Sequence, residues 1–540
     1  MGSRSASDSG KNSRKRRSKP SSPKISCEPT LATEKSSEQL KLTENNLHDS
    51  TSELPESNNS DSKASKRSDR SHRKNNSDKQ RYRLEAKEKR AAHRAAKAKN
   101  VTLVVLGDIG MSPRMQYHAI SLASHGYNVD IISYKETLPK NELFATKNVK
   151  FHKIVSFPSF EAKDNLFAFY MYLFFKLCYQ TLHLLILLMF QVKSPGFILV
   201  QNPPSIPTLL LVKATCLVRE SKMIIDWHNY GFTILGMKMG NSHFLVGAAK
   251  IYENFFGSLA DKNICVTDAM KDDLVNNWKI KREIITLHDK APSHYHKLNS
   301  SDSHEFWNDL FTKSSFPNIK EEHKKALLES SNFNLLEFSQ TLDSKTTKNA
   351  KPAILVSSTS WTLDENFEIL IEALKNYNSR ASENPGVYKD IITFVTGKGP
   401  MKEQFETTIA ALDLKHVSIT TAWLEPQDYP KLLGSSDIGI SLHTSSSGVD
   451  LPMKVVDMLG CGLPVLACNF KCITEIINPG INGDIFDDST ELAEKLLNTL
   501  KTDISSQDIL KNMQKGAESF RCVSWEQNWD EKVLNLFSSN

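Results

Sequence analysis

Residues Leu442–Cys468 read LHTSSSGVDLPMKVVDMLGCGLPVLAC, and this stretch decides the fold. The apolar run Ile438–Leu442 empties into a small-residue loop, Thr444–Gly448. A helical pattern follows, and a turn with Gly462 and Pro464 leads into a second apolar run, Val465–Cys468. Strand, small-residue loop, helix and strand form a unit that turns backbone N–H groups and a helix N-terminus toward an anion. Lys454 and Asp457 are three positions apart and so share one helix face. A cation there suits a diphosphate, and a carboxylate suits ribose hydroxyls. An ordinary βαβ unit with a solvated Lys and Asp would show the same spacing.

The same grammar recurs on either side. Val101–Leu106 is a continuous apolar run, the mark of a parallel strand covered on both faces. It opens into Gly107-Asp108-Ile109-Gly110, then a helical pattern from Met115 and a strand at Val129–Ser133. The GxxG spacing differs from the dinucleotide GxGxxG, which disfavours a nicotinamide cofactor. Arg114, near the helix start, reads equally as a phosphate contact or a surface cation. Phe197–Gln201 and Lys222–Asp226 are further strands, the second ending in Asp226-Trp227-His228-Asn229-Tyr230-Gly231. Acid, imidazole and amide at a strand's carboxyl end stand where α/β folds place chemistry. The pattern restarts at Ala353–Ser357, with a hydroxyl-rich loop at Ser358–Thr362 and a tight loop at Gly397–Pro400. The predicted architecture is two Rossmann-like, doubly wound α/β domains facing across a cleft. The boundaries expected are a disordered basic tail at 1–98, a first domain at 99–298, a polar linker or insertion at 299–350, a second domain at 351–520 and a C-terminal helix at 521–540.

Composition agrees with a large folded body and a separate tail. Of 540 residues, 39% are hydrophobic and 24% charged, with a net charge of +6. Residues 1–100 hold 25 Lys/Arg against 13 Asp/Glu, so the remainder is mildly acidic. Residues 1–80 have almost no bulky apolar side chain to offset the entropy of ordering. Tyr82–Asn100 reads as a solvated basic helix, with RNA or an anionic membrane surface as the alternative contact; it has no interleaved aromatics for base stacking, and nucleic acid is not an expected partner. The start lacks the apolar segment of a signal peptide, and the eight cysteines lack zinc spacing. Leu166–Val192 is long enough to cross a membrane, but Lys176, Gln180 and His183 interrupt it. It is expected to be part core and part dipped into one leaflet.

Taken together, LGDIGMSPRMQYHA, QNPPSIP, IDWHNYG, CVTDAM, VSSTSWTLDENF, GKGP, HTSSSGVDLPMKVVDMLGCGLPV and NFKCITEII resemble the chitobiosyldiphosphodolichol β-mannosyltransferase family. The resemblance covers residues 101–298 and 351–537 and implies the GT-B fold. It further implies inverting transfer of the first β-1,4-mannose from GDP-mannose to dolichol-linked chitobiose diphosphate. The setting implied is the cytosolic face of the endoplasmic reticulum membrane, beside other dolichol-pathway mannosyltransferases. Two departures stand out. A long basic tail stands where the family has a hydrophobic anchor, and the acid pair Asp450 and Asp457 is one residue closer than the wider GT-B spacing.

The resemblance implies the following roles. Lys454, the Ser446, Ser447 and Gly448 amides and the helix N-terminus would hold the departing diphosphate. Asp457 would hold ribose, with Thr359, Ser360, Gly397 and Gly399 lining the pocket and Asp450 in a less certain donor role. His228 or Asp108 would serve as base, with Asp226 orienting the imidazole, and Gly107 and Arg114 would face the acceptor phosphate. No Asp-x-Asp pair suits a metal-bridged diphosphate, so no cofactor or obligatory metal is expected. A retaining transferase of other specificity and an inactive nucleotide-sugar-binding scaffold are the rival readings.

Overall fold

The computed structural model describes residues 81, 83–92, 94–158, 166–331, 351–362 and 365–538. Of the disordered tail expected at 1–98, residues 1–80 lie outside them, while residues 83–92 and 94–98 are helical, a correction to that expectation. Among the described residues, thirteen parallel strands form two sheets. The first has seven strands: β1 (Asn100–Asp108), β2 (Asn128–Tyr134), β3 (Val149–Lys153), β4 (Phe197–Asn202), β5 (Lys222–Trp227), β6 (Lys262–Cys265) and β7 (Ile284–Thr286). The second has six: β8 (Ala353–Ser358), β9 (Ile391–Thr396), β10 (Val417–Ala422), β11 (Ile438–Ser441), β12 (Val465–Cys468) and β13 (Gly483–Phe486). The orders are β3-β2-β1-β4-β5-β6-β7 and β10-β9-β8-β11-β12-β13. In each sheet the chain reverses direction beside its first strand, between β1 and β4 and between β8 and β11. Such reversals leave a crevice at the carboxyl ends of the strands.

The apolar runs are continuous because helices cover both faces of each sheet. On β1, Leu103 and Val105 enter one core while Val104 and Leu106 enter the other. On β8, Leu355 and Ile354 divide in the same way. Alternate side chains of a strand point to opposite faces, and here neither face is wet.

Two parts of the chain pack where spacing alone did not place them. The segment expected as a polar linker forms helices at Ser300–Lys313 and Glu321–Ser331. Their Phe306, Trp307, Leu310 and Leu327 are buried in the core under the second sheet. Seven polar residues in every ten masked a narrow apolar stripe. The C-terminal helix, Trp525–Lys532, and the turn after it cross back to the first domain. There Trp525, Trp529, Val533 and Leu536 join Leu103 and Met115 in one core.

The apolar segment is a helix over Leu166–Ile186 that loosens into a wide turn at Leu187–Gln191. Leu184, Leu187 and Leu188 are core residues, whereas Phe174, Phe175, Leu182 and Phe190 are exposed. Leu210 and Leu217 on helix Thr208–Val218, and Ile251 and Phe255 on helix Phe244–Ser258, are exposed as well.

Candidate active site

The first half of the site is built on Asp226, the fifth residue of β5. It is fully buried and collects four donors. Arg114 approaches with Nε 2.9 Å from Oδ2 and Nη2 3.0 Å from Oδ1. His118 Nε2 lies 3.2 Å and His228 Nε2 2.7 Å from Oδ2. Trp529 Nε1–H donates to His118 Nδ1 at 2.9 Å, which leaves the proton of that neutral ring on Nε2, facing the carboxylate. Burial favours a neutral Asp226. The Arg114 guanidinium, then His228 and His118, overcome it and hold the carboxyl well below the ordinary carboxylate range. An ionised Asp226 makes His228 Nε2 a donor, so Nδ1 is the basic nitrogen. The His228 side chain is 23% exposed while every other partner of Asp226 is nearly covered.

Two expected residues play other parts. Arg114 is 4% exposed, and its Nη1 is engaged by Asp289 Oδ1 at 2.7 Å and Leu287 O at 2.8 Å. A guanidinium so occupied is a strut for Asp226, which corrects the reading of Arg114 as a phosphate contact. Asp108 caps the short turn Ile109–Met111 and accepts from the Glu136, Thr137 and Gly110 amides and from the Thr137 hydroxyl. Against a raising effect of burial, those hydrogen bonds lower its pKa. A carboxylate stabilised this way is a poor base, so Asp108 is corrected to a capping residue. Gly107 precedes it at the open edge, where a side chain would meet little.

The second half lies at the reversal between β8 and β11. Ser447 Oγ donates to Asp450 Oδ1 at 3.0 Å, and Ser445 Oγ does the same. Gly448 N donates to Ser445 Oγ at 2.8 Å, and Gly448 has φ +73°. Asp450 therefore shapes the small-residue loop. Lys454, on the helix Met453–Gly460, pairs with Glu365, whose side chain is 1% exposed. Glu365 also accepts from Thr359 Oγ1 and from Ser360 N at 3.2 Å. It thereby ties the β8 loop to Lys454. Sequence reasoning missed Glu365; the signal was the acidic pair Asp364-Glu365 within WTLDENF, just after the hydroxyl-rich loop.

The two glycines of the 397–400 loop are required by contact. A Cβ on Gly397 would lie 1.8 Å from Thr359 O, and one on Gly399 2.0 Å from Ser360 O. They let two loops touch backbone to backbone. Asp457 is partly exposed, yet burial pushes its carboxyl up to about 7; Lys140 opposes the shift and Asp289 adds to it.

The halves meet. Asn229 Nδ2 donates to Ser446 Oγ at 3.2 Å, one residue from His228. Glu475 of the second domain accepts from Asp268 N at 2.7 Å and Ala269 N at 2.8 Å, at the N-terminus of helix Asp268–Asn276. His288 Nε2 lies 2.8 Å from the same carboxylate. Asp268, His288 and Glu475 are, among the described residues, a trio with ligand atoms close enough for a metal ion. Their mutual hydrogen bonds already account for the approach.

Comparison with known proteins adds a lineage to this geometry. The family model described as "Glycosyl transferases group 1" matches residues 338–516. A chitobiosyldiphosphodolichol β-mannosyltransferase of Homo sapiens is 38% identical over 444 residues, 82% of this chain and 93% of its own. One of Dictyostelium discoideum is 37% identical over 79% of this chain and 92% of its own. A protein of Arabidopsis thaliana named UDP-glycosyltransferase TURAN is 38% identical over 81% of this chain and 96% of its own. Among solved structures, sucrose-phosphate synthase from Thermosynechococcus elongatus aligns with a TM-score of 0.52 at 11% identity, covering 80% of this chain and 96% of its own. Anabaena HepE, in complex with UDP and glucose, aligns with a TM-score of 0.52 at 14% identity, covering 82% and 99%. At those identities the solved structures speak for the GT-B fold alone.

Proposed function

Because the chain belongs to the chitobiosyldiphosphodolichol β-mannosyltransferase family, we propose that it moves mannose from GDP-mannose to dolichol-linked chitobiose diphosphate by one inverting displacement. It is a glycosyltransferase of dolichol-linked oligosaccharide synthesis. The donor nucleotide, the step's chemistry and the setting at the cytosolic face of the endoplasmic reticulum are the proposal. The observation that carries the mechanism is the Asp226–His228 pair beside the cross-cleft contact of Asn229 with Ser446.

In the proposed step, His228 Nδ1 accepts the proton of the attacking sugar hydroxyl. The freed oxygen forms a bond to the anomeric carbon of mannose as the bond to the diphosphate oxygen breaks. GDP leaves with that electron pair, and the imidazolium is balanced by buried Asp226. Lys454, the amides of Ser446 and Ser447 and the N-terminus of helix Met453–Gly460 offset the charge on the leaving diphosphate, whereas the Gly448 amide is taken up by Ser445. Asp457 accepts from the ribose hydroxyls. These groups supply base and charge without a metal, so transfer is proposed to persist in EDTA. The exposed apolar side chains of helix Leu166–Ile186 and its neighbours support a membrane-facing side that admits a lipid acceptor.

The deciding experiment offers GDP-mannose, and separately UDP-glucose, with a short-chain chitobiosyl diphosphate lipid in EDTA. A β-mannosidase-sensitive product from wild type, lost in Asp457→Ala, is expected. An α-linked product, a UDP-glucose preference or a requirement for divalent metal would each overturn the corresponding part.

A further inference from the structure

Residues 83–92 and 94–98 are helical, and this basic helix is seated on the first domain. Lys97 Nζ donates to Arg219 O, and to Glu220 O at 2.9 Å, at the carboxyl end of helix Thr208–Val218. A cation there meets carbonyls that lack helical partners. A Cβ on Gly196 would come within 2.8 Å of Ala98 Cα, so the glycine permits close approach. Between the basic helix and the amino-terminal ends of β4 and β5 lies a cavity of about 750 Å³. Lys89, Arg90, Arg94, Lys97 and Lys222 line it, against one carboxylate, Glu220. It lies at the opposite edge of the sheet from the transfer site.

Its rim is apolar. Leu217 and Val218, directly before Arg219, are 71% and 68% exposed, and Phe190 is 80% exposed. Arg219 donates from Nη1 to Leu188 O and from Nη2 to Val192 O at 3.1 Å. The same two residues, Arg219 and Glu220, thus bind the basic helix on one side, and Arg219 holds the end of the apolar segment on the other. A concentrated cationic hollow bordered by exposed hydrocarbon matches an amphiphilic anion. Nucleic acid fits less well, since residues 83–98 carry no Phe, Tyr or Trp on which a base could stack.

We infer that the cavity formed by the basic helix and the amino-terminal ends of β4 and β5 binds the phosphate headgroup of an anionic membrane lipid. Phe190, Leu217 and Val218 lie against its acyl chains. The lipid pins the end of the apolar face remote from the cleft, so that the protein lies along the bilayer. The inference rests on the membrane-facing reading of that side and is independent of the transfer chemistry.

The test is cosedimentation of the full-length protein with vesicles of phosphatidylcholine alone and of phosphatidylcholine with phosphatidylserine. The key variant is Lys89→Gln, Arg90→Gln and Arg94→Gln, three exposed positions on one helix. Each cation near an anionic surface changes partitioning about fivefold, so the triple variant should lose on the order of a hundredfold of the phosphatidylserine-dependent gain. Its binding to phosphatidylcholine, and its transfer to acceptor in detergent, should match wild type. Glycerophosphoserine, the headgroup without acyl chains, should compete weakly. Competition equal to that of vesicles would make the ligand a free phosphate and overturn the lipid assignment. So would a gain that survives the triple variant and disappears instead in Arg14→Gln, Lys15→Gln and Arg16→Gln. Loss of polyuridylate binding with the vesicle gain intact would point to RNA and overturn it too. Wild type that binds neither vesicle would sink the membrane-facing reading itself; equal binding to both would sink only the cavity.

Discussion

At the residue scale the site depends on protons being kept in place. Asp226 is fully buried, and its contact with Nε2 fixes which nitrogen of His228 is basic. His228→Asn keeps a hydrogen-bonding side chain beside Asp226 but removes the proposed base. Transfer by the purified variant should fall by about 10²- to 10⁴-fold in kcat, with little change in GDP affinity measured by calorimetry. Asp457 carries a second expectation. Its carboxyl titrates near 7 in the fold against 3.8 as the ordinary value. Between those values the folded state holds a proton that the unfolded state has lost, so this group lowers stability as pH rises from about 4 to 7. In the proposed role, the ionised form accepts from both ribose hydroxyls, which the protonated carboxyl does poorly. GDP affinity should therefore weaken as pH falls below 7, by up to about tenfold per unit, and Asp457→Asn should bind weakly with no such dependence. The groups around it are Lys140, Asp289, Tyr117, Tyr295 and Tyr429. Burial pushes all three tyrosines up, so they keep their protons throughout this window.

Elements bring these residues to the cleft through close contact of loops. Gly397 sits at φ +126° against the Thr359 carbonyl. Gly397→Ala should separate the β8 and β9 loops, cost roughly 2 kcal/mol by urea unfolding and raise the KM for the donor. Helix Leu166–Ile186 shows the opposite relation, an element that leaves Phe174, Phe175 and Leu182 exposed. Replacing exposed Phe174 and Phe175 by Ser should leave thermal stability unchanged. Binding to phosphatidylcholine vesicles should fall, as about 1.5–3 kcal/mol is lost for each side chain removed from the bilayer.

Over the whole molecule, the chain's end supports its beginning. Trp529 is fully buried and bonds His118, which bonds Asp226. Trp529→Ala should destabilise the first domain by about 3–5 kcal/mol. Because the His118 ring loses the donor that sets its tautomer, transfer should fall even at temperatures where the variant stays folded. Circular dichroism melts beside single-temperature rates separate the two effects.

What the sequence determined by itself is whatever depends on local order. Apolar runs declared buried parallel strands, small-residue loops followed them, and the 442–468 unit placed Lys454 and Asp457 on one helix face. Asp226 and His228 were legible for the same reason, as they end a single strand. Tertiary structure decided everything that joins distant residues. Arg114 and Asp226 are 112 positions apart, and only packing turns a cation beside a glycine loop into a buried strut. Glu365 meets Lys454 across 89 positions, and the 300–331 helices look like linker until their sparse apolar stripe finds the second sheet. Periodicity records which face of an element is apolar; it carries no record of the partner that covers that face, because burial and charge pairing are properties of surfaces brought together by the fold.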